Sequence, residues 1–232
     1  MIHSSNMIHK DATIDNMFKA GAHFAFSRTR RHSTVSPYIF GVKNKVEIFD
    51  LEKTSILLAK AKVFVETLAK EGKVILFVGG KSEARNTIKA CALSINMPYV
   101  DGRWIGGTLT NFSQIRKRVE KLEKLTSEKE KGELTKYTKK ERLLIDREIA
   151  NLERFFSGIM SMKNLPSAIF IVDPKKENTA VKEAQDIGIP VIALAGSDCN
   201  VADIDYPIIG NDSSQTSIQF FVQEIVKSYK VS

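Results

Sequence analysis
From Lys45 onward, short apolar runs alternate with stretches in which apolar positions recur every three or four residues, the marks of strand and helix in turn. Val46, Ile48 and Phe49 make a first run closed by Asp50, and Leu51 to Lys70 then carries Ile56, Leu57, Ala61, Phe64, Val65 and Leu68 on one predicted helical face. Gly72 is the expected stop. Val74 to Val78 is apolar without a break, as expected of a parallel strand covered on both faces. Ser82 is read as the cap of a helix reaching about Ile95, and Tyr99-Val100 as a third, short strand. After an insertion the alternation resumes: Ala168 to Val172 and Val191 to Ala195 as strands, Thr179 to Ile187 and Ser214 to Lys227 as helices. This order predicts an α/β fold, an open parallel sheet with helices on both faces.

The insertion reads differently. Phe112, Ile115, Val119, Leu122 and Leu125 recur at helical spacing, as do Ile145, Ile149, Leu152, Phe156 and Ile159. Thr126 to Thr138, polar and holding Gly132, can turn the chain so that the two apolar seams meet in an antiparallel hairpin. Because those seams are self-complementary, the α/β unit is expected to fold with Ser113 to Ile159 replaced by a linker. Ahead of the sheet, Asp11 to Ala20 predicts a short helix capped by Asp11 or Thr13, with Ile14, Met17 and Phe18 on its buried face. An irregular arm, Ala22 to Pro37, follows. The expected organisation is a helix and basic arm over 1–40, an α/β domain over 41–107 and 164–232, and the hairpin over 108–163.

Between strand and hairpin lies Asp101-Gly102-Arg103-Trp104-Ile105-Gly106-Gly107-Thr108-Leu109-Thr110-Asn111-Phe112, which holds the chain's single tryptophan. Gly106 and Gly107 permit an unusual backbone path, and Thr108, Thr110 and Asn111 are residue types that cap a helix start. The segment is expected to be a structural elbow with Trp104 packed inside, its indole N–H needing one partner there.

Charge narrows the partners. The 232 residues carry a formal net charge of +8, which points to a polyanion such as RNA, DNA or an acidic membrane surface. No apolar run approaches the length of about 20 residues needed to span a bilayer, and the polar start suits a cytoplasmic protein. The hairpin, with thirteen basic and nine acidic residues from Arg116 to Arg154, is only mildly positive. The arm is more basic: Arg28, Arg30 and Arg31 follow one another with no carboxylate between them, flanked by Phe24, Phe26, Tyr38 and Phe40. These arginines, Lys81 at a helix start and Arg103 in the elbow are the expected phosphate contacts.

Catalytic readings find little support. Gly79-Gly80-Lys81-Ser82 resembles the end of a phosphate-binding loop, but the glycine required five places earlier is Ile75. Asp173, Asp198, Asp203 and Asp205 follow strand ends and could cluster, yet no nucleophile or histidine stands near them in sequence. Cys91 and Cys199 have no metal-ligand spacing and predict neither a disulfide framework nor a zinc site. No cofactor is expected.

The elbow resembles the R-W-x-G-G-T-L-T-N-F signature of bacterial small-subunit ribosomal protein two, matched from Arg103 to Phe112. The likeness extends to Ala20-Gly21, Pro37 to Gly41, Asp50 to Thr54, Ala180 to Ala184, Ile189 to Leu194 and Ile204 to Ile208. It departs at Ala25-Phe26, where the family has G-H, at Arg31 to Val35, and at Gly196 to Val201. The resemblance implies a flavodoxin-like α/β domain with a coiled-coil hairpin. It also implies a non-enzymatic small-subunit component that binds ribosomal RNA and neighbouring ribosomal proteins, and that supports attachment of ribosomal protein one. Two other classes stay open: a nucleotide-using α/β enzyme with a pocket at the strand ends, and an adaptor that docks proteins through the hairpin.

Overall fold
The computed structural model describes residues 13–230. A helix over 13–19 (α1) buries Met17 completely, whereas Phe18, expected on the same face, is exposed and stacks on His23 at 4.4 Å. Successive helical residues lie about 100° apart, and this short helix packs on one side only. Asp11, one of the two expected caps, lies outside the described residues.

The arm makes two short 3-10 turns, Arg28–Arg30 and Ser33–Tyr38, and then enters a hairpin of β1 (Ile39–Lys43) and β2 (Val46–Phe49). Asn44 and Lys45 both take positive φ, 53° and 66°, matching the twist of a two-residue hairpin turn. Val46–Phe49 is therefore not the first strand of the parallel sheet. It pairs antiparallel with β1 in a two-stranded sheet of its own. The sequence hid β1 because its half-exposed residues, with Gly41 and Lys43 among them, show no apolar alternation.

Helix α2 (Leu51–Lys70) begins where expected, because Asp50 Oδ1 accepts from the Glu52 and Lys53 amides at 3.1 and 3.4 Å. Its buried stripe is Thr54, Leu58, Ala61, Val65 and Leu68. Ile56, expected inside, falls off that stripe and is exposed, while Thr54 is buried and donates its hydroxyl to the Ile209 carbonyl at 2.7 Å. The later helices are α3 (Ser82–Leu93), α4 (Phe112–Glu130), α5 (Lys139–Phe156), α6 (Asn178–Asp186) and α7 (Gln215–Lys230). Lys81, not Ser82, holds the N-cap position of α3, and Ser82 is its first helical residue.

Five parallel strands form the main sheet: β3 (Ile75–Val78), β4 (Tyr99–Val100), β5 (Ala168–Val172), β6 (Val191–Ala195) and β7 (Tyr206–Ile209). Their order, β4-β3-β5-β6-β7, is the flavodoxin-like one. Strand β7 was not expected, since it contains Pro207; proline is tolerated there because β7 is the sheet edge. Alternate side chains serve opposite cores. Ile75, Phe77, Phe170 and Leu194 pack with α2, α3 and α7. Leu76, Val78, Ile169 and Ile171 pack with α6, the elbow and the base of the helical hairpin.

That hairpin is antiparallel, with Ile115, Val119 and Leu122 facing Ile149, Leu152 and Phe156 in one cluster. Helix α4 runs on to Glu130, past the expected turn start at Thr126, before Gly132 takes φ +73°. A Thr138–Glu141 capping box then starts α5. Lys129 and Asp146 pair across the two helices at 2.7 Å. The apolar seam runs without a gap into the core beneath the sheet, through Ile159, Met162, Trp104 and Leu109.

This continuity revises the expectation that the whole hairpin can be removed. Truncating core residues such as Ile115, Phe156 and Ile159 costs about 2–5 kcal/mol each, and losing all of them is comparable to a domain's total stability of roughly 5–15 kcal/mol. Replacing only residues 123–147, where Leu125 and Ile145 are partly buried, with a Gly/Ser linker should leave a cooperative thermal transition. Replacing Ser113 to Ile159 should abolish it. A cooperative melt in the larger deletion would contradict the shared core.

Candidate functional site
The elbow is built around a carboxylate that the sequence reading did not single out. Glu183, on α6, is 6% exposed and faces Trp104 and the elbow backbone. Trp104 Nε1 donates to its Oε1 at 3.0 Å, as does the Gly107 amide at 2.8 Å. The Leu109 and Thr110 amides donate to Oε2 at 2.9 and 3.2 Å, and the Thr110 hydroxyl adds a contact at 3.3 Å. Burial works to raise the Glu183 pKa, but the indole and the three amides outweigh it and hold the carboxyl below the ordinary glutamate value. Gly107 takes φ +88°, the left-handed conformation that helps the Gly107, Leu109 and Thr110 amides converge on one carboxylate.

Trp104 is thus a packed anchor, as its setting suggested. Asn111 occupies the N-cap position of α4, yet its side chain makes no capping bond; the structure assigns that capping role to no side chain. A Cβ at Gly106 would meet nothing within 4 Å, so the fold gives no steric reason for glycine there. Arg103 is exposed.

The carboxyl ends of the strands form a second centre. Strand order reverses at β3, with β4 added on one side and β5 on the other, and such switch points open a crevice in sheets of this kind. Here the protein's own groups fill it. A Cβ on Gly80 would lie 2.4 Å from the Gly102 carbonyl and 2.7 Å from Glu177 Oε1. Lys81 Nζ reaches inward to Asp173 Oδ2 at 3.2 Å and Asp212 Oδ2 at 3.5 Å. Burial lowers the Lys81 pKa, but Asp212 and Asp173 together raise it more. Lys81 is therefore not the free phosphate ligand its place at a helix start suggested. Its charge is neutralised inside the fold.

Of the four aspartates expected to cluster, Asp173 and Asp198 do so, each within about 4.0 Å of Cys199 Sγ. Asp205 instead accepts from the Val191 amide at 2.8 Å, and Asp203 from the Asn200 side chain at 2.8 Å. Asp212, delivered by the end of β7, stands in their place 3.5 Å from Lys81 Nζ, and no sequence pattern signalled it because β7 was itself hidden. Burial and the neighbouring Asp173 push its pKa up to about 6. Asp173, Cys199 and Asp212 could offer three ligand atoms within 4.8 Å of one another to a metal. The donor set fits one poorly: the Lys81 ammonium already stands against both carboxylates, and burial pushes the Cys199 thiol up to about 12, so it stays protonated.

Ser197 pins the arm, rather than the outer flanking aromatics. Phe24 and Phe40 are exposed; the Phe26 amide donates to Ser197 Oγ at 3.0 Å and the His32 amide to the Ser197 carbonyl at 2.8 Å. Arg31 Nη1 binds Glu47 Oε1 at 2.9 Å, and Glu47 is fully buried. Although no carboxylate interrupts the arm in sequence, β2 supplies one in space. Arg30 stays 58% exposed, lies over the Phe26 ring at 4.2 Å and sits 3.7 Å from Asp198 Oδ2. Arg28 is exposed. Arg28, Arg30 and Arg103 thus present charge outward, while Arg31 and Lys81 face carboxylates.

A family model described as Ribosomal protein S2 matches residues 17–231, which include the arm, the elbow and the hairpin. The chain belongs to the ribosomal protein S2 family. A protein of a Nitratiruptor species named small ribosomal subunit protein uS2 is 42% identical over 93% of this chain and 81% of its own length. Proteins of the same name from Sulfurimonas denitrificans and Chlorobium phaeovibrioides are 41% and 42% identical, over 93% and 91% of this chain and 83% and 82% of theirs. In this S2 family member, then, the signature segment is the one gathered on Glu183.

Two outcomes are expected for the site. Glu183→Ala should cost about 3–5 kcal/mol, because several buried donors lose one shared charged acceptor. The wild-type contribution is present above the ordinary glutamate pKa and fades as pH falls through the depressed folded value. Denaturant melts at neutral pH measure the cost, and a loss below about 1 kcal/mol would contradict the assignment. Asp212 has the opposite sign: its folded pKa is raised, so its contribution is favourable below the ordinary value of 3.8 and is lost as pH rises through about 6. Asp212→Asn should gain on wild type by up to about 3 kcal/mol as pH rises across that window. A pH-independent difference would show that Asp212 does not titrate there.

Proposed function
We propose that this S2 family chain is a non-catalytic, structural component of the small ribosomal subunit in the cytoplasm, holding ribosomal RNA through phosphate contacts and packing against neighbouring ribosomal proteins. The observation that carries this reading is the family match over 17–231. The strand-end crevice supports a non-catalytic role, since Lys81, Asp173 and Asp212 occupy the place where a nucleotide-using enzyme of this architecture would seat its ligand. The helical hairpin, anchored at its base and free at its tip, suits protein contacts, including attachment of ribosomal protein one. Arg28, Arg30 and Arg103 are the proposed outward RNA contacts, whereas Arg31 and Lys81 set the shape of the arm and the sheet edge.

Phosphate contacts position without reading bases, and each neutralised phosphate releases counterions. Arg28→Ala with Arg30→Ala should flatten the plot of log affinity against log salt by about 0.7–0.9 per lost contact, whatever the RNA sequence. Melting should barely move, because Arg30 is exposed and stands 3.7 Å from Asp198, which keeps Lys175 at 2.8 Å when Arg30 is removed. Arg31→Ala should behave in the opposite way, destabilising by about 2–3 kcal/mol by leaving Glu47 buried without its partner. Filter binding to a small-subunit RNA fragment at several salt concentrations checks the first expectation. An unchanged slope would remove the arm from the interface.

A further inference from the structure
A cleft of about 500 Å³ adjoins the filled crevice and shares Gly80, Gly102 and Glu177 with it, between the elbow, the start of α3 and the start of α6. Three cations line it, Arg85, Arg103 and Lys176, against one carboxylate, Glu177. All three are exposed, and none is held in an ion pair among the described residues, in contrast to Lys81 and Arg31. Arg85 is nevertheless oriented, since its Nε donates to the Gly80 carbonyl at 3.2 Å. Gly102 and Gly106 stand on the rim without side chains, so the cleft is open to a ligand's backbone. Thr179 brings the first turn of α6, whose leading N–H groups have no partner within the helix.

Glu177 offsets only part of this charge, one carboxylate against three cations, and it is 6% exposed and held toward the Gly80 amide. The site combines three lining cations, one of them an oriented guanidinium, with a helix start in one concavity, which is chemistry suited to a phosphate group.

We infer that this cleft seats a backbone phosphate of an RNA strand, held by Arg85, Arg103 and Lys176. The inference rests on the RNA-binding reading above and adds to it a built site, with Arg85 and Lys176 as contacts that charge counting along the chain did not pick out. It also connects the site to Glu183: the five hydrogen bonds on that carboxylate fix the backbone on which Arg103 is mounted.

Trp104 lines the cleft and is the only tryptophan, so its emission is a local probe of the cleft wall. The full chain would be titrated with a short single-stranded RNA, with uridine monophosphate and with inorganic pyrophosphate, in wild type and in Arg103→Gln/Lys176→Gln. The inference expects RNA to change Trp104 emission and to bind at least about tenfold more weakly to the double variant, the loss of one charge-assisted contact or more. Both substituted residues are exposed, so the melting temperature should stay within a degree or two, about the shift of a few tenths of a kcal/mol. RNA binding equal in the two proteins, with emission unmoved, would overturn the cleft and leave the RNA reading standing. Uridine monophosphate or pyrophosphate binding as tightly as RNA would overturn the strand assignment in favour of a free-phosphate site. Absence of RNA binding to wild type by filter assay would mark failure of the underlying reading.

Discussion
The architecture depends on one buried carboxylate. Between β4 and α4 the chain must leave a parallel sheet, turn, and enter a hairpin whose base is packed under that same sheet. Such a turn exposes amides that no strand or helix can satisfy, and each would be costly if buried alone. Glu183 accepts three of them together with the Trp104 indole and the Thr110 hydroxyl. Its charge strengthens each bond, and the bonds in turn keep it charged at neutral pH. The sheet, α6, the elbow and the hairpin are thereby joined at a single point, and the apolar cluster running from Leu76 to Phe156 closes over it.

The same economy of charge organises the surface. The protein's cations divide into two groups once space is considered. Lys81 and Arg31 each meet carboxylates within 3.2 Å and hold loops together. Arg28, Arg30, Arg85, Arg103 and Lys176 face outward. A net charge of +8 is thus distributed unevenly, with internal pairs shaping the arm and strand ends and the excess left for a polyanion. Under the proposed function, these outward cations are the groups that would meet the phosphates of ribosomal RNA.

Much of this was legible in the residues. Continuous apolar runs marked β3, β5 and β6 because both faces of each are buried. Three-and-four spacing marked α2 and both hairpin helices, and the cap at Asp50 set the first residue of α2. What stayed hidden had specific causes. Strand β1 is half-exposed, and β7 contains a proline that only an edge position permits. Asp212 was invisible without β7. The pairing of Arg31 with Glu47 spans a turn and a strand, so no local pattern signals it. Glu183 did carry a signal: it is an acid beside Ala180, Val181 and Ala184 on the buried side of a short helix, where a charge must have partners.

If Glu183 joins elbow, sheet and hairpin, the amides it holds must open only when a large part of the protein opens. Native-state hydrogen exchange resolved at Gly107, Leu109 and Thr110 tests this directly. The account expects all three amides to exchange as slowly as those of the buried strands β3 and β5, and to share one opening free energy. Exchange at the rate of an exposed loop, or three unrelated rates, would contradict it.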